Sequence, residues 1–205
     1  MLNALRRLSL LIILVAAGFR VSTQAAESGD CMAGSPSSPV KIEVFSDFQC
    51  PACRAFYMET ISRIFPEYAE TNQVCIAYRE FPLSMHQHAK IAARYGHAAM
   101  RLGPQQWRVV SDAMFASQPE WANSGDIDPV IQKVLSPANW EALQKEMQDT
   151  AALDALIDAD FNLGRERGVT STPTFFVTAN GKTEKIPTAV RYTILKRYLD
   201  SLLEK

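Results

Sequence analysis

The chain has 205 residues, of which 47% are hydrophobic and 21% charged, and a formal charge of −1. That length suits one domain, or one domain carrying an insert. A slightly negative balance gives no support for nucleic-acid binding, which calls for a basic face.

Arg6 and Arg7 precede an apolar run over residues 8–19, followed by Ser22-Thr23-Gln24-Ala25-Ala26. This is the pattern of a secretory signal, with cleavage expected after Ala25. The run is short of the about 20 residues that span a bilayer. Arg20 weakens an anchor further, and no cysteine ends the run to carry a lipid, so no stable membrane insertion is expected. Residues 1–25 therefore read as a signal peptide. Loss of its three arginines takes the formal charge from −1 to −4. The expected location is exported, periplasmic or otherwise extracytoplasmic, where disulfides persist. Four cysteines in that setting point to thiol chemistry more than to metal binding.

Residues 26–39, rich in Ser, Gly, Pro and Ala, read as a flexible lead-in. Val40–Ser46 reads as a buried strand. Pro51 to about Ala69 reads as a helix that Pro66 kinks or breaks. Val74–Arg79 reads as a second strand, ended by Phe81-Pro82. Strand signals then vanish for some ninety residues. Helices are expected over His86–Leu102 and Pro104–Ala116, with short ones opened by Asp128-Pro129 and Ser136-Pro137, where a capping residue precedes a first-turn proline. A long amphipathic helix follows over Ala151–Arg167, with Gly168 just beyond its end. Thr174–Thr178 and Lys182–Ile186 flank Asn180-Gly181, a strong hairpin turn. Val190, Ile194, Leu195, Tyr198, Leu199 and Leu202 make the apolar stripe of a last helix. The order is β-α-β, a helical block, then β-β-α.

Phe48-Gln49-Cys50-Pro51-Ala52-Cys53-Arg54-Ala55-Phe56 carries the chemistry. If Pro51 opens the helix, Cys50 sits at its N-terminus, facing unpaired N–H groups and the positive end of the helix dipole. That environment favours the thiolate, the attacking species in disulfide exchange. Cys53, one turn on, can close a reversible disulfide. A zinc site would need further paired ligands. Cys31 and Cys75 stand alone, and His86 and His88 are two apart, so they point apart on a helix; no metal is expected. A purely structural bond across so tight a loop would constrain the unfolded chain little.

The segment Phe45-Ser46-Asp47-Phe48-Gln49-Cys50-Pro51-Ala52-Cys53 resembles the active-site segment of the DsbA-like thioredoxin-fold proteins. Tyr78-Arg79-Glu80-Phe81-Pro82-Leu83 resembles their second-strand exit, and Gly168-Val169-Thr170-Ser171-Thr172-Pro173-Thr174-Phe175-Phe176-Val177 their cis-proline segment. The resemblance covers nearly all of residues 40–203. It implies an α/β, thioredoxin-like fold with a helical insert between the βαβ and ββα halves: residues 40–84 and 168–205 form the thioredoxin-like part, and 85–167 the insert. It implies Cys50 as the exposed attacking thiol, Cys53 as the buried resolving thiol, and Thr172-Pro173 as a cis peptide facing both sulfurs. There the Thr172 backbone is free to pair with an extended client. Pro51 and Ala52 would tune the redox pair. Glu43 could move protons for Cys53, or point to solvent or pair with a lysine. No cofactor is implied.

The resemblance also places the N-terminal segment beside the second strand, so that Cys31 could meet Cys75. The alternatives are two buried free thiols, or Cys31 as an extra redox cysteine. A loop of about 45 residues would stabilise by roughly 4 kcal/mol before strain. Known strong oxidants of the family carry His between the cysteines; Pro51-Ala52 offers no donor or charge. Arg54 could compensate, and Asp47 would oppose. His86, His88 and His97 are expected to cap or decorate a helix, and Trp107, Trp121 and Trp140 to fill the helical core. The leading function is an exported thiol–disulfide oxidoreductase acting on unfolded or partly folded client proteins, recharged by a membrane quinone-linked partner of the DsbB or VKOR kind. The alternatives are a reductase or isomerase of the same fold, a thiol peroxidase or transferase, and a copper chaperone using the same two sulfurs.

Overall fold

The computed structural model describes residues 31–204. The expected signal peptide and the first part of the lead-in lie outside the described residues. Among those described, no helix is long and apolar enough to cross a membrane.

Strand β1 (Val40–Ser46) is the heart of the sheet. It pairs in parallel with β2 (Val74–Glu80) and antiparallel with β3 (Thr174–Ala179), Ile42 standing opposite both Ile76 and Val177. Strand β4 (Lys182–Ile186) closes the order β2-β1-β3-β4. Asn180 and Gly181 take φ of 51° and 71°, the left-handed pair that a two-residue hairpin turn demands. Alternation along β1 divides the core. Val40, Ile42 and Val44 join the large cluster that also holds Cys53, Phe56 and Tyr57. Phe45 joins Phe81, Val169 and Phe176 in a second cluster against Phe161 and Leu163.

A helical run over residues 51–69, α1, makes the crossover from β1 to β2. It alternates α-helical Pro51–Phe56 and Ser62–Ile64 with π-helical Tyr57–Ile61 and Phe65–Ala69. Pro66 does not break the run. It falls in the first turn of the second π segment, where the widened turn accommodates the ring and the missing N–H removes one rung.

Between β2 and β3 lie α2 (Ala89–Arg101), α3 (Pro104–Ala116), α4 (Gln118–Trp121), α5 (Asp128–Gln132), α6 (Pro137–Met147) and α7 (Thr150–Glu166). Helix α8 (Tyr192–Leu203) follows β4. Ser136 caps α6, accepting from the Asn139 N–H at 3.2 Å. Asp128 does not cap α5; it is the first residue of that helix and its carboxylate accepts from the Tyr95 hydroxyl instead. Trp107 and Trp121 are wholly buried, with Trp107 5.1 Å from Tyr78 between insert and sheet, whereas Trp140 is only partly covered.

The lead-in is tied down from Cys31 onward. Met32 donates to the Ile76 carbonyl at 2.6 Å, Ile76 donates back to Ala33 at 2.9 Å, and Cys31 and Cys75 are joined as a disulfide with Cα atoms 5.4 Å apart. The segment thus covers the outer edge of β2.

Helix α7 packs on the second face of the sheet through Gly164. A Cβ there would lie 2.7 Å from the Phe81 ring and 3.0 Å from Phe45. Gly164→Ala is expected to lower stability. Overpacking costs about 1–3 kcal/mol, and helix propensity returns only about 1 kcal/mol. The midpoint of urea unfolding reads the balance; an unchanged or raised midpoint would mean that α7 can move off the sheet freely.

Candidate active site

The sequence places Cys50 where β1 ends and α1 begins. Its backbone is extended (φ −75°, ψ 122°), its carbonyl accepts the first helical bond from Arg54 at 3.0 Å, and Pro51 follows as the first helical residue. The Ala52 and Cys53 N–H groups are therefore aimed at the Cys50 sulfur. Both cysteines are free thiols. Cys50 is 7% exposed and Cys53 0%. Cys50 is thus the more accessible of the two, but far less open than an exposed nucleophile. The Thr172 segment covers it, the Thr172 carbonyl oxygen lying 3.6 Å from its sulfur.

The two sulfurs differ sharply in acidity. A hydrogen bond from the Cys53 thiol, outweighing burial and helped by the Thr172 hydroxyl and the two backbone N–H groups, brings Cys50 down to about 5. Burial pushes Cys53 well above the ordinary thiol value, and the neighbouring Cys50 adds to it; the Ser46 and Thr172 hydroxyls oppose the rise. The Asp47 N–H also points at the Cys53 sulfur, at 3.5 Å. The result is one thiolate and one thiol, the arrangement for attack followed by resolution.

Thr172-Pro173 is cis. The Thr172 hydroxyl is buried with no oxygen or nitrogen partner among the described residues, and it faces both sulfurs. Pro51 and Ala52 are exposed, so their side chains bring nothing to the thiolate.

Glu43 is not at the site. Its neighbours Ile42 and Val44 face the cluster that holds Cys53, so strand alternation turns Glu43 to the α7 face. There it binds Arg79 (3.0 Å) and Arg167, and Arg79 also meets Asp160 at 3.3 Å. Burial raises its pKa, but the two guanidinium groups outweigh that and hold it below the ordinary value. A buried acid on the cysteine face of the sheet is instead Glu80, 4% exposed and opposite Ser46 in register. Burial, then the charges of Asp160 and Asp47, push its pKa well up. The acid at the end of a strand, just before Phe81-Pro82, was the available signal in the sequence.

The loop before Cys50 is clamped from the insert by residues the motif does not show. Gln118, 5% exposed, donates to the carbonyls of Phe48 (2.6 Å) and Cys50 (3.1 Å). Gln49 donates to Ala122 and accepts from the His88 N–H, each at 2.7 Å. Arg54 donates to the Phe115 carbonyl at 2.9 Å, so its guanidinium serves the insert contact. Asp47 accepts from the N–H groups of Gln49 and Leu83, both at 2.8 Å, and meets His86 Nδ1 at 2.7 Å. Its carboxylate is thereby occupied by these three partners. These bonds also explain why the helix expected from His86 begins only at Ala89: His86 and His88 hold the active-site loop instead.

Comparison with known proteins agrees with this geometry. The family model described as Thioredoxin matches residues 26–201. Disulfide bond formation protein D of Bacillus subtilis is 23% identical over 164 residues, covering 77% of this chain and 71% of that one. The probable disulfide bond formation protein D of Bacillus cereus is 22% identical over 151 residues, covering 72% and 69%. Among solved structures, alpha-DsbA1 of Wolbachia pipientis superposes with a TM-score of 0.70 at 22% identity, over 84% of this chain and 89% of that one. Oxidised BdbD of Bacillus subtilis superposes at 0.68 and 20% identity, over 88% and 99%. The chain belongs to the thioredoxin family, as a DsbA-like thiol–disulfide oxidoreductase.

Proposed function

We propose that the protein is exported and forms or exchanges disulfides in unfolded or partly folded client proteins through Cys50 and Cys53. The observation that carries this reading is the asymmetry of the two sulfurs: Cys50 stands at the start of α1 against the Thr172 carbonyl at 3.6 Å, and Cys53, one turn on, is wholly buried. In the oxidised protein, a client thiolate attacks the Cys50 sulfur. The Cys50–Cys53 bond breaks, and Cys53 leaves and takes up a proton. A second client thiolate then attacks the client sulfur of the mixed disulfide, and Cys50 departs as the stabilised thiolate. The client loses two electrons and the protein gains them. A membrane quinone-linked partner of the DsbB or VKOR kind would take them up and restore the disulfide. The Thr172 backbone, against Cys50, serves to hold the client as an added strand. Cys31–Cys75, away from that pair and tying the lead-in to β2, serves as a structural brace. Isomerisation and reduction use the same sulfurs; a thiolate this well stabilised favours the oxidising direction.

The division of labour is tested by substitution. Cys53→Ser is expected to accumulate mixed disulfides with clients in the exported fraction, and Cys50→Ser none. The reverse pattern on non-reducing gels would exchange the two roles.

The stability of the reduced protein should follow pH in a stated way. The folded pKa of Cys50, about 5, lies below the unfolded thiol value of about 8.5. Its contribution is full above that unfolded value and is lost as pH falls toward 5. Cys53 has the opposite sign: its raised pKa costs stability once pH passes the unfolded value. Equilibrium unfolding of both redox forms should therefore show the reduced form gaining on the oxidised one from pH 5 to about 8.5, and no further gain above. A gap that is flat across that window would remove the thiolate from the account.

A further inference from the structure

Two buried hydroxyls, Ser46 and Tyr78, stand on the core side of Cys53. Ser46 is the last residue of β1, and Tyr78 lies in β2 opposite Val44. Val44 and Tyr78 belong to the cluster that holds Cys53, and Ser46, two residues on from Val44, faces the same way. Both are sealed there, Ser46 at 1% exposure and Tyr78 at 3%. The Tyr78 hydroxyl donates to Ser46 Oγ at 2.9 Å. Packing fixes the ring, whose centroid is 5.1 Å from that of Trp107 and 6.2 Å from that of Tyr57. Burial, then the charge of Cys53, pushes the Tyr78 pKa well up, so this hydroxyl keeps its proton and stays a donor.

Donation from Tyr78 orients Ser46. It occupies a lone pair of the Ser46 oxygen and leaves the Ser46 O–H to be given elsewhere. That hydroxyl meets the Cys53 sulfur. The N–H of Asp47, the next residue, is aimed at the same sulfur from 3.5 Å. At rest the negative charge settles on Cys50, and these donors have none to hold. During exchange Cys50 is not available for it. A client thiolate attacks Cys50 Sγ of the oxidised pair, the client–Cys50 bond forms, the Cys50–Cys53 bond breaks, and its electron pair goes to Cys53. No proton changes owner in that step. Cys53 is 0% exposed, so its departing charge is met by protein donors in place of water.

On the reading that clients attack Cys50, we propose that Ser46 is a catalytic residue that donates to the departing Cys53 sulfur, and that Tyr78 is the positioning residue that aims the Ser46 hydroxyl. The pair acts where the buried disulfide opens and in the reverse step, where Cys53 attacks the mixed disulfide. It has no role when the group that leaves Cys50 is not Cys53.

The test compares two reactions of the full-length protein with dithiothreitol at neutral pH. In the first, the oxidised protein is reduced, and opening of the Cys50–Cys53 bond is followed by acid quenching, alkylation and peptide mass. Ser46→Ala is expected to open about tenfold more slowly than the unaltered protein, as loss of one hydrogen bond to a developing charge would give. Tyr78→Phe should slow opening about threefold, as loss of a bond between neutral groups would. Since Tyr78 acts through Ser46, the double variant should be no slower than Ser46→Ala alone. In the second reaction the same substitutions are made in the Cys53→Ser protein carrying thionitrobenzoate in disulfide linkage on Cys50. Dithiothreitol attacks the same sulfur, but the coloured thiolate that leaves is the dye, so each rate should stay within about twofold of its parent. Equal slowing in both reactions would reduce the pair to a structural role and overturn the proposal, as would an unslowed Ser46→Ala in the first. If Ser46→Ala does not fold, the ratio of the two rates for Tyr78→Phe decides in the same way. A single-cysteine peptide whose mixed disulfide maps to Cys53 would instead sink the reading of Cys50 itself.

Discussion

The function rests on one negative charge that two adjacent sulfurs cannot share equally. Cys53 is sealed in the core and has nowhere to place a charge. Cys50, one turn earlier, meets the N–H groups of Ala52 and Cys53, the Thr172 hydroxyl and the Cys53 thiol itself. The charge therefore settles on Cys50. A thiolate held this way is the attacking group in exchange and a good leaving group from a mixed disulfide. Its low basicity makes the reduced state the comfortable one, so the disulfide is the state that gives up its bond.

The rest of the fold keeps that geometry in place. The centre of the sheet delivers Cys50 to the start of α1, while the cis peptide at Thr172-Pro173 brings the approach to β3 against the sulfur. The insert is more than a cover. Gln118 and the Phe115 carbonyl reach from it to the active-site loop and α1, and Gln49, Asp47, His86 and His88 close the loop from the other side. Each of these bonds holds a residue within a few positions of Cys50. The loop's rigidity is therefore supplied from chain far away in sequence, which is the use a helical insert has in a small redox domain.

Much of this was legible in the sequence because it is local. Strand periodicity, prolines at first helical turns, Asn180-Gly181 and the C-x-x-C at a strand end each depend on neighbouring residues alone, and the order of elements along the chain follows from them. What stayed hidden depends on contacts between distant residues. Nothing near Glu43 says that β1 turns it toward Arg79 and Arg167, because both faces of a central strand are buried. Gln118 reads as an ordinary helical glutamine until α4 is laid on the active-site loop. Pro66 reads as a break because a widened helical turn leaves no local signature. His86 and His88 read as helical, since Asp47 and Gln49 compete for that segment from some forty residues away.

The central claim is that the protein environment stabilises the Cys50 thiolate enough to make the Cys50–Cys53 disulfide an oxidant. The most direct measurement is the reduction potential of that couple, from equilibrium with glutathione at neutral pH. The account predicts a value well above thioredoxin's of about −270 mV, toward the roughly −120 mV of DsbA. A value at or below thioredoxin's would contradict it and make the protein a reductant.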